Sequence, residues 1–187
     1  MAHGNLQRRV DYATGAADAG PPQLSSGLVA PGATHPMNVR PMAVHDVESV
    51  LAIQSACPEI AQWSAWDYES VARREMAGWV AEDERGIAGF LVARQLFGEA
   101  EILNFAVRAD FRRQGTGTAL LEQALEWGKT FGAERVILEV RASNLAAIRF
   151  YERHGFVVTG KRPRYYAAPI EDALLLNLSL PKPEGAR

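Results

Sequence analysis

The stretch Asn104-Phe-Ala-Val-Arg-Ala-Asp-Phe-Arg112-Arg-Gln-Gly115-Thr-Gly117-Thr118-Ala-Leu-Leu121 holds the end of an apolar strand, a short basic loop and the start of an amphipathic helix. The apolar stripe of that helix is Ala119, Leu120, Leu121, Ala124 and Leu125. A loop that opens a helix leaves several backbone N–H groups without intrahelical partners, and the helix dipole adds partial positive charge at the same spot. Arg112 and Arg113 add whole charges, while Gly115 and Gly117 let the backbone approach a ligand that a Cβ would hold off. These features describe a pyrophosphate cradle. The plainer reading is an ordinary glycine-containing strand-to-helix turn. It is not a P-loop, because Thr118-Ala119 follows Gly117 where that loop needs Lys-Ser or Lys-Thr. It also lacks the third glycine of the dinucleotide fingerprint.

A chain of 187 residues suits one domain with a real core. A net charge of −2 leaves no electrostatic footprint for nucleic acid or a membrane surface. One cysteine, Cys57, excludes an internal disulfide and a cysteine-built metal site, and no metal is expected. Cys57 reads as a small buried side chain; a nucleophilic role lacks any neighbour that would activate it. No apolar run reaches the ~20 residues of a membrane span, so a cytoplasmic location is expected.

Residues 1–36 are rich in Gly, Pro, Ala and Ser without periodicity, and are expected to form a disordered tail. The folded domain is expected over 37–181, with a short C-terminal tail at 182–187. Asn38-Val-Arg-Pro-Met reads as a strand, and Asp46 as the N-cap of a helix carrying Val47, Val50, Leu51 and Ile53. Ser64 with Asp67 approximates a capping box for a second helix running through Tyr68, Val71 and Met76. Strands follow at Trp79–Glu82, Gly86–Arg94 and Glu101–Arg108, then the cradle helix to about Thr130. Arg135–Arg141 is a strand, Asn144–His154 a helix closed by Gly155, and Phe156–Gly160 and Asp172–Leu178 the last strands. This order predicts an α/β domain with one mixed sheet and helices on both faces.

Strand alternation in Arg135–Arg141 puts Val136, Leu138 and Val140 on one face and Ile137, Glu139 and Arg141 on the other. A mid-strand acid between apolar neighbours is either a half-exposed Glu paired with an arginine or a general base facing a cleft. Tyr151 shares a helical stripe with Ala147 and Ile148, so it is core, or core with a working hydroxyl. Asn144 reads as an N-cap or as a ligand contact.

Taken together, Leu138-Glu-Val-Arg-Ala-Ser-Asn144, Ala147-Ile, Phe150-Tyr151-Glu and Gly155-Phe156, following Arg112-x-x-Gly115-x-Gly117, closely resemble the GNAT N-acetyltransferases. More narrowly they resemble the RimI-type enzymes, which acetylate the N-terminal alanine of a ribosomal protein. Gln62-Trp63-Ser64, Asn104-Phe-Ala-Val, Arg164-Tyr165-Tyr166 and Glu171-Asp172-Ala173 extend the match from about Met37 to Leu180. The resemblance implies a GNAT-type, mostly antiparallel sheet and acetyl-CoA as cosubstrate. It implies that the backbone of Phe105, Ala106 and Val107 binds the pantetheine arm. It also implies that Arg112, Arg113, Gln114, Gly115, Thr116, Gly117 and Thr118 bind the pyrophosphate and that Asn144 touches the coenzyme. It makes Glu139 the proton acceptor and Tyr151 the proton donor, with Trp63, Tyr165 and Tyr166 walling a peptide site. The chain departs from the pattern at Gln62 and Ala167, where the family usually has proline. Both lie beside the peptide site, so a small-molecule amine or a protein lysine stays open as acceptor, as does a non-catalytic acyl-CoA-binding module.

Overall fold

A computed structural model describes residues 37–73 and 76–181; both anticipated tails lie outside the described residues. Its elements are β1 (Asn38–Pro41), α1 (Val47–Ser55), α2 (Ala65–Ala72), β2 (Ala77–Asp83), β3 (Gly86–Leu96), β4 (Glu99–Val107), α3 (Thr116–Thr130), β5 (Arg135–Arg141), α4 (Leu145–Arg153), β6 (Val157–Ala167) and β7 (Ile170–Ser179). The strands form one sheet in the order β1-β2-β3-β4-β5-β7-β6. Among the described residues only β4 and β5 run parallel; every other neighbouring pair is antiparallel. The expected single-domain, mostly antiparallel α/β sheet is present. No described helix is long and apolar enough to cross a membrane.

Alternating side chains give the sheet two apolar faces, each covered by a pair of helices. Leu120, Leu121 and Ala124 of α3 and Ile148 and Tyr151 of α4 pack with Leu91, Val136, Leu138 and Val140 on one face. Val47, Val50 and Ile53 of α1 and Tyr68 and Val71 of α2 pack with Val80, Phe90 and Val92 on the other. Along β4 the alternation changes phase. Val92 faces Asn104 while Ala93 faces Ile102, so Leu103 is an extra residue, a β-bulge. One inserted residue turns everything after it to the opposite face. Ala100 and Ile102 therefore belong to the α3–α4 core and Ala106 to the α1–α2 core, and Phe105 packs back towards α4.

The bulge lies where the two central strands part. β4 and β5 are paired only from Glu99↔Arg135 to Ile102↔Leu138. From Leu103 onwards β4 has no partner on its β5 side, and β5 leaves it at Glu139. A polar network supports the bend: Asn104 Nδ2 donates to the Tyr68 hydroxyl (2.9 Å) and to the Ala61 carbonyl (3.0 Å), and Tyr68 donates to Gln54 Oε1 (2.6 Å).

Three local expectations need correction. Asp46 ends a one-turn 3₁₀ helix (Val44–Asp46), and its carboxylate accepts from the Ala43 amide and the Arg40 guanidinium rather than capping α1. Helix α2 stops at Ala72, short of Met76, although the Ser64–Asp67 capping box forms as expected. β6 and β7 are much longer than the apolar runs suggested, because β6 is an exposed edge strand whose polar residues are held by pairing to β7 rather than by burial.

Candidate active site

Where β4 and β5 separate, a cleft of about 470 Å³ opens between the end of β4, the N-terminus of α3 and helix α4. The Arg108 amide donates to Ala88 across the β3–β4 pair (2.8 Å). By antiparallel alternation the amide and carbonyl of Ala106 also turn towards β3, and those of Phe105 and Val107 turn into the split. Of the three expected backbone contacts, Phe105 and Val107 have the required orientation, and Ala106 lines the cleft without offering its amide or carbonyl.

At the other wall, Gly115 caps α3 in a left-handed conformation (φ 89°), and Arg113 shares that region (φ 60°). The first intrahelical bond of α3 is donated by Ala119 to Gly115, so the amides of Thr116, Gly117 and Thr118 are the unpaired donors of its first turn. A Cβ on Gly117 would stand 3.4 Å from the Phe150 ring, so the protein tolerates it, but it would occupy the cleft that Gly117 lines.

Not every predicted side chain faces the cleft. Thr116 is buried with its hydroxyl donating to the Phe111 carbonyl (3.2 Å), and Gln114 donates to the Asp110 carbonyl (2.6 Å). Both hold the turn, and neither lines the cleft. Arg112 folds back onto the Val107 carbonyl (Nε, 2.9 Å) and Cys57 Sγ (3.3 Å), with Glu59 at 3.8 Å. It ties the cradle to the α1–α2 loop, and both Arg112 and Arg113, exposed, line the cleft. Burial pushes the Cys57 thiol up, which keeps it protonated and inert.

Helix α4 forms the third wall. Asn144 serves as N-cap, its Oδ1 accepting from Ala147 (3.1 Å), and also lines the cleft. Tyr151 is buried among the rings of Phe105, Phe150 and Phe156, with centroids at 6.3, 5.4 and 5.3 Å, and borders the cleft. Burial pushes its hydroxyl well above the ordinary tyrosine value, so Tyr151 holds its proton as a donor. Among the other α4 residues that line the cleft are Phe150 and His154, to which no motif in the sequence assigns a role. They fall on the Ala147 stripe at i+3 and i+7, the signal that would have found them. His154 Nδ1 lies 2.8 Å from the Phe150 carbonyl, which can only accept, so Nδ1 carries the proton and Nε2 accepts from the Thr118 hydroxyl (3.1 Å). Cys57, Glu59 and Ile60 also line the cleft, and nothing local in the sequence announces them.

Glu139, Trp63, Tyr165 and Tyr166 do not line this cleft. Glu139 projects from the opposite face of β5 and accepts from Arg162 of β6, Nε to Oε1 2.7 Å. The Glu139 carboxylate beside Tyr165, together with burial, pushes its phenol up to about 12. Tyr166 lies under the Arg141 guanidinium at 4.0 Å, and Arg141 pairs with Glu171 at 3.2 Å. The two tyrosines stand in β6, not in a loop. Trp63 is fixed through its backbone to Gln54 (2.9 Å in each direction) and tilts against Tyr68 at 5.4 Å. Gln62, where proline is usual, donates to the carbonyls of Cys57 and Ile60 (both 3.2 Å) and so braces the same loop.

Residues 47–156 match the model of the acetyltransferase (GNAT) family. The chain belongs to the GNAT family. It is an acetyl-CoA-dependent N-acetyltransferase of GNAT type. It is 41% identical over 100 residues to the [ribosomal protein bS18]-alanine N-acetyltransferase of Salmonella typhimurium, covering 52% of this chain and 67% of that one. With the Escherichia coli protein of the same name it shares 34% over 120 residues, covering 63% of this chain and 81% of that one. The crystal structure of the ribosomal-protein-S18-alanine N-acetyltransferase from Escherichia coli superposes with a TM-score of 0.70 at 28% identity, covering 81% of this chain and 99% of that one. The cleft of this GNAT protein suits the coenzyme. It has one unpaired strand edge for an extended arm, three free amides at a helix N-terminus for an anion, and an apolar wall between them.

Proposed function

We propose that this enzyme acetylates the N-terminal amine of a protein, an alanine-starting terminus of a ribosomal protein in particular, and does so in the cytoplasm. The observation that carries the reading is the placement of two proton-handling groups about one split. Glu139 is the first residue of β5 beyond its pairing with β4, on the sheet face opposite the cleft, and Tyr151 lines the cleft from α4. Acetyl-CoA, when bound, supplies an acetyl group activated as a thioester. Phe105 would hold its arm by its backbone amide and carbonyl, and Val107 by its amide, its carbonyl accepting from Arg112. The amides of Thr116, Gly117 and Thr118, with Arg113, would hold its pyrophosphate, and Asn144 would touch it from α4.

The acceptor amine attacks only when neutral. An α-amino group titrates near ~8 and a lysine near ~10.4, so a protein N-terminus is the more available nucleophile at neutral pH. As the C–N bond forms and the C–S bond breaks, the nitrogen loses one proton to the Glu139 carboxylate, directly or through water. The departing sulfur takes one from the Tyr151 hydroxyl. Trp63, Tyr165 and Tyr166 would wall the groove for the first residues of the peptide. The names of the Salmonella and E. coli relatives support the alanine terminus as acceptor.

The test is acetyl transfer to two peptides in one buffer, one beginning Ala-Arg with a free terminus and one blocked with an internal lysine. We expect the free terminus to be preferred. Glu139→Gln and Tyr151→Phe should each lower kcat by roughly 10²–10⁴-fold, the range of general acid–base catalysis. Preference for lysine would overturn the acceptor assignment and leave the family standing.

A further inference from the structure

The edge strand β6 carries an irregularity. Between Arg162 and Tyr166 it advances four residues while β7 advances only from Ala173 to Glu171. The extra length lies in Pro163-Arg164-Tyr165, where Arg164 is held left-handed (φ 53°) with its amide donating to Asp172 Oδ1 (2.7 Å). A non-glycine residue in that region is strained and persists because its surroundings impose it. On one side of the bulge Arg162 reaches the Glu139 carboxylate, Nε to Oε1 2.7 Å. The guanidinium also lies 5.6 Å from the Tyr165 ring centroid.

We propose that Arg162 is a positioning residue for the proton acceptor: it fixes the Glu139 carboxylate at the point where β5 leaves β4. This deepens the function proposed above and rests on Glu139 being the base. A glutamate on a half-open strand face otherwise samples several rotamers, and a base displaced by ~1 Å can lose about 100-fold in rate. Arg162 Nε lies against Oε1 alone, at 2.7 Å. A carboxylate offers roughly four lone-pair sites, so capacity remains for the amine proton. The fold itself does not need the pair, because the Arg162 side chain is 56% exposed and exposed ion pairs contribute little to stability. The clamp should therefore be visible in turnover and silent in thermal stability.

The experiment is steady-state kinetics on the Ala-Arg peptide with Arg162→Gln, Arg162→Lys, Glu139→Gln and the Arg162→Gln/Glu139→Gln double variant, each checked by thermal melting. Arg162→Gln is expected to lower kcat by about 10–100-fold with the KM for acetyl-CoA and the melting temperature unchanged. Arg162→Lys, which keeps a cation there, is expected to recover part of that loss. In the Glu139→Gln background the second substitution should cost nothing more, as expected of residues acting through one another. An unchanged kcat in Arg162→Gln, a change confined to peptide KM, or an equal loss in both backgrounds would each overturn the assignment. Full activity in Glu139→Gln would instead remove the base itself, and positioning with it. A loss in Glu139→Gln alone would leave the base standing and reject only Arg162.

Discussion

Two glycines show how single residues divide structural from functional demands. Gly89 of β3 faces Val107, and a Cβ there would lie 2.7 Å from the Ala106 carbonyl oxygen and 3.2 Å from Val107 Cα. Neither is the end of a flexible side chain, so β3 and β4 would have to separate. At Gly117 the nearest atoms are ring edges at 3.4 Å or beyond, and the added methyl would intrude only on the cleft. Gly89→Ala is therefore expected to lower stability by about 1–3 kcal/mol, the usual range for overpacking, as well as weakening acetyl-CoA binding. Gly117→Ala should weaken acetyl-CoA binding with little change in stability. Urea unfolding beside KM measurements separates the two, and equal unfolding midpoints for the variants would refute the distinction. The sequence marked Gly117 through its spacing from Arg112, whereas Gly89 is legible only once Val107 is seen opposite it.

At the scale of elements, β1, β2 and the turn before α1 are joined by one arginine. Arg40 donates to both carboxylate oxygens of buried Asp46 (2.7 and 2.8 Å) and to Glu82 (2.8 Å). Burial alone would push Asp46 up, but the hydrogen bonds from Arg40 and the Ala43 amide outweigh it and hold the carboxyl below its ordinary value. Arg40 likewise holds Glu82 low. Groups whose folded value lies below the unfolded one add stability above the ordinary carboxylate range and lose it as pH falls through the folded value. Arg40→Met should cost on the order of 2 kcal/mol at pH 7. That is less than the ~3–5 of a fully buried pair, because Arg40 keeps contact with water. The gap from wild type should close below about pH 4, as both carboxyls take protons. Urea midpoints measured from pH 7 to pH 3 check this; a gap independent of pH would show that the clamp acts by packing alone. The sequence shows the three residues but not that they meet, since Glu82 stands on a different strand from Arg40.

For the whole molecule, the decisive feature is that two parts of one sheet are joined through only the Glu99–Ile102 and Arg135–Leu138 pairing and the helices packed across it. A ligand seated in the split touches β4, α3 and α4 together and so couples the parts. At about 100 times its Kd, acetyl-CoA should add about 2.7 kcal/mol, which for a chain of this size raises the melting temperature by about 5–10 °C. Differential scanning fluorimetry reads this directly. No shift at saturating acetyl-CoA would contradict the cleft as its site.

The sequence by itself determined the element order, the mixed sheet covered on both faces, the helix-opening cradle and the family. These depend on periodicity and on motifs a few residues long, which local sterics and hydrogen bonding make nearly obligatory. It also placed Tyr151 on a buried stripe and Asn144 at a cap. Only the tertiary structure decided that Leu103 is a bulge, that Ala106 turns its backbone away from the split, and that Arg112, in the cleft wall, is tied to Cys57. The same holds for the clamp on Glu139, whose partner lies on β6, two strands away across β7. Its physical reason is register: a half-exposed carboxylate takes whichever cation strand pairing brings beside it, and pairing is set by contacts distant in the chain.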